Sequence, residues 1–211
     1  MCAYERAQYA RGFASVAGVD EAGRGSLAGP VVAAAVTLPR LDDLGSLPQF
    51  LSEIRDSKQL SSQVRSAIRD CLRKEPSVGI GIGIVDEAVI DRVNILQATH
   101  RAMRLALAGL PARPDAVLVD GMPVPDLGAQ QVAIVGGDAR SLSIAAASIV
   151  AKVARDEIMV GYDGQFPSYG FAIHKGYGTK LHLDRLRMHG PCAIHRNSFE
   201  PVRQMVFAWD Q

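Results

Sequence analysis

Apolar and polar positions change their period several times along the chain, and each change marks an element. Ser15–Asp20 (SVAGVD) predicts a short strand that runs into a glycine-rich turn, Ala22–Gly29. Pro30–Leu38 (PVVAAAVTL) is almost wholly apolar and rich in β-branched residues, which predicts a second, buried strand. Proline and aspartate break the pattern from Pro39 to Ser57, after which Ser61-Ser62 supply capping hydroxyls for a helix over Gln63–Arg73. Val78–Val85 (VGIGIGIV) alternates glycine with isoleucine at period 2. This predicts a strand with one bare face packed closely by a helix. A dinucleotide-binding loop would set its glycines between a strand and a helix, and that context is missing. Asp86 caps a helix, and a longer one covers Ile95–Ala108. Ala116–Asp120 (AVLVD) and Gln131–Val135 predict two further strands, the first followed by Gly121 and the second by Gly136-Gly137-Asp138. Ser143–Val160 is the strongest helix, and its small residues, Ala145 to Ala147 with Ala151, permit close approach to a sheet. A strand pair followed by strands alternating with helices predicts a mixed α/β layered domain rather than an all-parallel sheet. Beyond Tyr162 the periodicity fades and glycine, tyrosine and histidine become frequent; one helix, Thr179–Met188, is expected in a small helical appendage.

Composition narrows the class. The 211 residues are 48% hydrophobic and 21% charged, ordinary for a soluble globular chain with a real core. A net charge of +1 excludes a strongly basic nucleic-acid binder and leaves room for a local basic patch. Such a patch is suggested late in the chain by Lys175, Lys180, Arg185, Arg187, Arg196 and Arg203, interspersed with His174, His182, His189 and His195. The three cysteines, Cys2, Cys71 and Cys192, form no CxxC pattern, which argues against a disulfide framework or a zinc knuckle and fits a reducing compartment. No signal-peptide run opens the chain and no stretch reaches the length of a membrane span, so a cytoplasmic protein without a membrane partner is expected.

The candidate chemistry lies at strand ends. Asp20-Glu21, Asp120 and Asp138 each follow an apolar strand. One such acid commonly just starts a turn. Several of them, on neighbouring strands of one sheet, would converge, repel one another and need a cation, and Mg²⁺ or Mn²⁺ prefer such oxygen ligands. A pair of these ions roughly 3.5–4 Å apart can hydrolyse a phosphodiester. Asp156, late in the long helix, has two readings: facing the same cluster, or pairing at the surface with Arg155 or Lys152. Ser148 and Lys152 lie one helical turn apart and could share a face toward the acids. Gly23-Arg24-Gly25 sets one cation between two residues without side chains, so that backbone amides can approach a phosphate or sugar; a tight turn with a solvated arginine is the plainer reading. His174, His182 and His195 lack a cysteine partner at zinc-ligand spacing, and packing or phosphate contact is expected of them.

Taken whole, DEAGRGSLAGPVVAAAV at Asp20–Val36 resembles the signature of bacterial ribonuclease HII, the type 2 ribonucleases H. Further matching blocks follow in order: DSKQL at Asp56–Leu60, NILQAT at Asn94–Thr99, LVDG at Leu118–Gly121, and GGD at Gly136–Asp138 with SIAAASIVAKVARD at Ser143–Asp156. YGFAIHKGYGTKLH at Tyr169–His182 and HGPCAIHRNSFEPV at His189–Val202 complete the series. The resemblance implies a ribonuclease-H-like fold, α/β with a mixed central sheet flanked by helices. It implies a catalytic domain over 1–160 and a C-terminal helical extension over 161–211 packed on it. It also implies an endonuclease that cleaves the RNA strand of RNA–DNA hybrids and cuts 5′ of ribonucleotides embedded in duplex DNA, leaving 3′-hydroxyl and 5′-phosphate ends. Matched residue by residue, the acids holding two Mg²⁺ or Mn²⁺ ions would be Asp20, Glu21, Asp120 and Asp138. Gly23, Arg24 and Gly25 would read the 2′-hydroxyl, the group that separates RNA from DNA. Tyr177 would stack on the following deoxyribose, with Tyr169 the structural tyrosine, while Ser57, Lys58, Asn94 and Gln97 would contact the nucleic-acid backbone or form a solvated polar face. Two departures bear on affinity and salt sensitivity rather than on the acids: glutamine stands where DSKQL more often has a second lysine, and GGD replaces a lysine-containing tripeptide.

Two rivals remain at this point: the type 3 ribonuclease H paralogue, which shares the fold but handles single embedded ribonucleotides poorly, and a non-catalytic hybrid-binding protein. A monomer is expected. A sliding clamp is an open option for which no clear peptide speaks, although QMVFAWDQ at Gln204–Gln211 has spaced apolar and aromatic residues.

Overall fold

Five strands form one mixed sheet in the computed structural model, which describes residues 1–40, 54 and 60–209. They are β1 (Val16–Ala22), β2 (Val31–Thr37), β3 (Gly79–Val85), β4 (Ala116–Asp120) and β5 (Gln130–Ile134), in the spatial order β3-β2-β1-β4-β5. β1, β2 and β3 pair antiparallel, whereas β1, β4 and β5 run parallel. This is the mixed sheet the pattern predicts.

Helices cover both faces. β2 shows why: its residues alternate, with Val31, Ala33 and Ala35 in one apolar cluster and Ala34 and Val36 in another. The first cluster is closed by α4 (Ile95–Ala108), through Ala98, Ala102, Met103 and Ala106. The second is closed by α5 (Leu142–Gln165), through Ala145, Ala146, Ile149 and Val150, and by Ile68 and Leu72 of α2 (Ser62–Lys74). A short helix, α3 (Glu87–Val93), leads into α4. Helix starts are set by side-chain caps: the carboxylate of Asp86 accepts from Val89 N at 2.8 Å, and Ser61 Oγ accepts from Val64 N at 3.3 Å.

Glycines set the closeness of the layers. A Cβ on Gly81 or Gly83 would lie 2.0 Å from the carbonyl oxygen of Ala106 or Ala102, so the bare face of β3 is the surface on which α4 rests. On the other face, a Cβ on Gly18 would come within 2.1 Å of the Ser143 carbonyl carbon at the start of α5.

Three helices have no counterpart in the periodicity: α1 (Ala3–Ala10), α6 (Phe171–His174) and α8 (Val202–Trp209). α1 is fastened by the buried carboxylate of Glu5, which accepts from Ser141 Oγ (2.6 Å), Ser143 N (2.9 Å) and Ser143 Oγ (2.8 Å). The expected Thr179–Met188 helix is α7 (Lys180–His189), with Thr179 as its cap. Beyond α5 the chain packs back onto the loop after β1: Ala28 clusters with Tyr169, Phe171 and Ile194, joined by Met159 of α5, and Leu27 clusters with Leu186 and Val202. The last two residues of QMVFAWDQ, Asp210 and Gln211, lie outside the described residues.

Gly83→Ala is expected to destabilise by about 1–3 kcal/mol, because the clash is with backbone rather than with a movable side chain. Gly161→Ala, on an exposed turn of α5 with no atom within 4 Å of the added Cβ, is expected to stabilise by about 0.5–1 kcal/mol. Thermal melts of the two variants check the opposite signs.

Candidate active site

Parallel register brings the acids together. Val19 of β1 pairs with Val119 of β4, so Asp20 and Asp120 follow at the same edge of neighbouring strands. Next in the sheet is β5, and the 3-10 turn after it, Gly137–Ala139, carries Asp138. All four predicted acids, Asp20, Glu21, Asp120 and Asp138, line one cavity of about 530 Å³. Gly23, Arg24, Gly25, Ser148, Lys152 and Tyr177 line it too, so the acids, the glycine loop, Tyr177 and the Ser148/Lys152 face open onto a single space.

The acids are held individually by donors. Asp20 Oδ1 accepts from Glu21 N at 2.7 Å, and Asp120 Oδ1 accepts from Gly137 N at 2.6 Å. Burial pushes the Asp20 carboxyl well above the usual carboxylate range; the charges of Glu21 and Asp120 push the same way, and hydrogen bonds from Ser148 and the Glu21 amide oppose them. Glu21 is also raised by burial, against the pull of Arg24, whose guanidinium stands 3.6 Å from its carboxylate. Among the described residues no three His, Cys, Asp or Glu side chains already form a metal-holding group. The donor set nevertheless suits a hard cation: every acid offers oxygen, and Asp20 sits where its negative charge is disfavoured until something positive arrives.

The glycines of Gly23-Arg24-Gly25 differ in purpose. Gly23 has φ +89°, and a Cβ there would lie 1.9 Å from Arg155 Nε, so this glycine is required by what lies beneath it. Around Gly25 nothing stands within 4 Å of the position a Cβ would take, which leaves the outer side open to a ligand. Arg24 is exposed. The loop is stitched to the C-terminal segment by Leu27 N to Gly176 O (2.8 Å), Gly29 N to Ile194 O (2.8 Å) and Arg196 N to Leu27 O (2.9 Å). Tyr177 follows directly from that seam, with Lys152 Nζ and Arg155 Cζ each 5.2 Å from its ring centroid.

Other expectations fall differently. Asp156 takes the pairing option, accepting from Lys152 Nζ at 2.7 Å, and is not among the residues lining the acid cavity. Asn94 and Gln97 are exposed at the start of α4, where Asn94 Oδ1 caps the helix by accepting from Gln97 N at 3.1 Å; neither lines the cavity. Ser57 and Lys58 lie outside the described residues. The late basic cluster is not one surface patch, because Arg196, His174, His182 and His195 are buried. Sequence reasoning passed over Arg65, which lines the cavity, and placed Arg155 and Arg196 at the surface, whereas both are buried beneath the loop. Basic residues are read by default as solvated, and no local pattern marks these as exceptions.

Burial excludes phosphate contact for the three histidines; His195 and His182 form a hydrogen-bonded relay instead, and His174 stacks on His182 with ring centroids 4.2 Å apart. His195 Nδ1 accepts from Cys192 N (2.9 Å), leaving its Nε2–H to donate to His182 Nε2 (3.1 Å). His182 Nδ1–H then donates to the carbonyl of Tyr177 (3.0 Å). These tautomers are the ones the network requires. Burial lowers the pKa of His182 and of His195 to about 4.

Comparison with known proteins gives a consistent picture. A family model described as Ribonuclease HII matches residues 17–202. A Ribonuclease HII of Geotalea daltonii is 53% identical over 196 residues, covering 93% of this chain and 87% of that protein. Another, of Acetivibrio thermocellus, is 49% identical over 199 residues, 94% of this chain and 75% of that protein. Among solved structures, the ribonuclease H2 from Pyrococcus horikoshii OT3 superposes with a TM-score of 0.74 at 25% identity, over 93% of this chain and 99% of that one.

Two outcomes are expected from these groups. Asp20→Asn removes a buried charge while keeping an acceptor for Glu21 N, so in metal-free buffer near neutral pH it raises Tm by roughly 2–4 °C, the shift for about 1 kcal/mol in a domain of this size. Added Mg²⁺ or Mn²⁺ then raises the wild-type Tm more than that of the variant. For the histidines, a folded pKa of about 4 lies below the unfolded value of about 6.5. The unfolded chain therefore binds more protons in that window, and stability falls as pH drops through it and levels off below about 4. Melts of wild type and His182→Asn across the window should show a shallower fall in the variant.

Proposed function

The chain belongs to the ribonuclease HII family, an endoribonuclease family, and from that premise we propose that it hydrolyses the RNA strand of RNA–DNA hybrids and cuts duplex DNA 5′ of an embedded ribonucleotide. The products would be a 3′-hydroxyl and a 5′-phosphate. The observation that carries this reading is one cavity lined by the four acids together with Gly23, Arg24, Gly25 and Tyr177. A phosphodiester among the acids would have its neighbouring sugar against the loop.

Asp20, Glu21, Asp120 and Asp138 would hold two Mg²⁺ or Mn²⁺ ions. When bound, such ions acidify the attacking water and stabilise charge on the departing 3′-oxygen. The chain's own residues do the rest. Ser148 and the Glu21 amide fix the orientation of the Asp20 carboxylate, and Gly137 N fixes that of Asp120. Backbone groups of Gly23–Gly25 take the 2′-hydroxyl, with Gly25 admitting the sugar because no side chain intervenes. Arg24 offers its exposed guanidinium to phosphate. Tyr177 presents its ring to the next sugar, where a deoxyribose is accommodated. Ser57, Lys58, Asn94 and Gln97 serve as contacts to the nucleic-acid backbone, Asn94 and Gln97 from outside the cavity. In this reading residues 1–160 form the catalytic domain and 161–211 the helical extension that shapes it. No helix among the described residues is long and apolar enough to cross a membrane.

A duplex carrying one ribonucleotide, incubated with and without Mg²⁺ or Mn²⁺, tests the proposal. The expected result is a single metal-dependent cut on the 5′ side of the ribonucleotide, slowed at least about 10³-fold by Asp20→Asn while hybrid binding is largely kept. Good cleavage of long hybrids but not of the single ribonucleotide would favour a type 3 activity. Binding without cleavage under either metal would mark a non-catalytic binder.

A further inference from the structure

Arg155 and Arg196 are both fully buried cations, and among the described residues neither makes an ion pair with a carboxylate. Burying an unpaired guanidinium is unfavourable, and an apolar side chain of similar volume would fill the same space more cheaply. What the guanidinium adds is a rigid, planar fork of donors. Arg196 directs all of its fork at one loop: Nε donates to Gly29 O (2.9 Å), Nη1 to Arg24 O (3.0 Å) and Nη2 to Gly23 O (2.7 Å). It thereby ties the beginning of the loop to its end. Arg155 donates from Nε to Pro30 O (2.9 Å), from Nη2 to Ala28 O (3.1 Å) and from Nη1 to Lys175 O (2.9 Å). Its side chain also runs beneath Gly23 and stands at the Tyr177 ring.

The planarity of the peptide bond gives these contacts a consequence. In a trans peptide the N–H points opposite to the C=O. Turning the carbonyls of Gly23 and Arg24 inward onto Arg196 therefore turns the next two amides, Arg24 N–H and Gly25 N–H, outward. Among the described residues neither amide donates a backbone hydrogen bond, and both residues line the acid cavity. We propose that Arg196, supported by Arg155, is a positioning residue: it aims the Arg24 and Gly25 amides into the cavity as a preformed pair of donors for the 2′-hydroxyl oxygen of the substrate. The C-terminal extension, which supplies Arg196, then sets the specificity of a loop that precedes it by more than 160 residues.

This inference rests on the proposed reading of the Gly23–Gly25 loop, and its test separates the two. Affinity is measured in Ca²⁺ for two duplexes that differ only in one ribonucleotide, using wild type and Arg196→Lys, with Tm recorded for both proteins. Wild type is expected to prefer the ribonucleotide duplex. A lysine offers a point charge without the fork, so in the variant that preference falls toward unity while affinity for all-DNA duplex stays within about twofold and kcat falls about tenfold or more. A merely structural role would lower Tm and leave the ratio of affinities unchanged, and that result overturns the proposal. If wild type shows no preference, the reading of the loop itself fails and this inference fails with it. Because a folding defect in the variant would mask the effect, a second measurement uses wild type alone. The amide resonances of Arg24 and Gly25 should shift more on adding the ribonucleotide duplex than on adding all-DNA, and equal shifts would overturn the assignment.

Discussion

Parallel pairing of β1 with β4 sets Asp20 and Asp120 at the same edge of the sheet, and the electrostatic consequence of that register governs the rest of the site. Asp20 is nearly inaccessible, so burial and its charged neighbours both disfavour its ionised form. Such an arrangement is tolerated only where donors or cations compensate. The chain provides some donors itself: Ser148 from α5, the amides of Glu21 and Gly137, and Arg24 beside Glu21. What they leave uncompensated would, under the proposed function, favour uptake of a divalent metal. The layers around the sheet hold this strained edge in place, with Gly18 allowing α5, and therefore Ser148 and Lys152, to lie close against β1.

The loop that leaves β1 shares the same constraint. Glu21 is the penultimate residue of β1 and Gly23 follows that strand, so a single residue separates the acid from the loop. Arg155 fixes the loop from α5 and Arg196 fixes it from the C-terminal extension, while the histidine relay holds the carbonyl of Tyr177. The four acids, the Gly23–Gly25 backbone and the Tyr177 ring are therefore tied to one another across a single cavity. Under the proposed function, recognition of a ribonucleotide would in this way be coupled to placement of its phosphate among the acids.

Much of this was open to sequence reasoning, and the exceptions share a cause. Each of the five strands shows in periodicity, and glycine alternation in β3 correctly announced a bare face under a helix. The four acids stood out because each comes at the end of an apolar run. What stayed hidden depends on partners far away in the chain. Glu5 looks like any surface glutamate of a polar peptide until Ser141 and Ser143, more than 130 residues later, close over it. Arg196 and the three histidines resembled a basic patch, because burial of a polar side chain is decided by its partners and leaves no local period. Asp156 was undecided between two faces of α5, and the nearby ammonium of Lys152 decides it.

The central claim is that one rigid site both reads the 2′-hydroxyl and holds the scissile phosphate. A crystal structure of Asp20→Asn bound to a duplex with one embedded ribonucleotide tests it most directly. The account predicts the 2′-oxygen within hydrogen-bonding distance, about 2.7–3.2 Å, of the Arg24 or Gly25 amide, with the phosphate on its 5′ side among Glu21, Asp120 and Asp138. A complex in which the ribose lies away from this loop, or in which the phosphate sits outside the acid cavity, would contradict it.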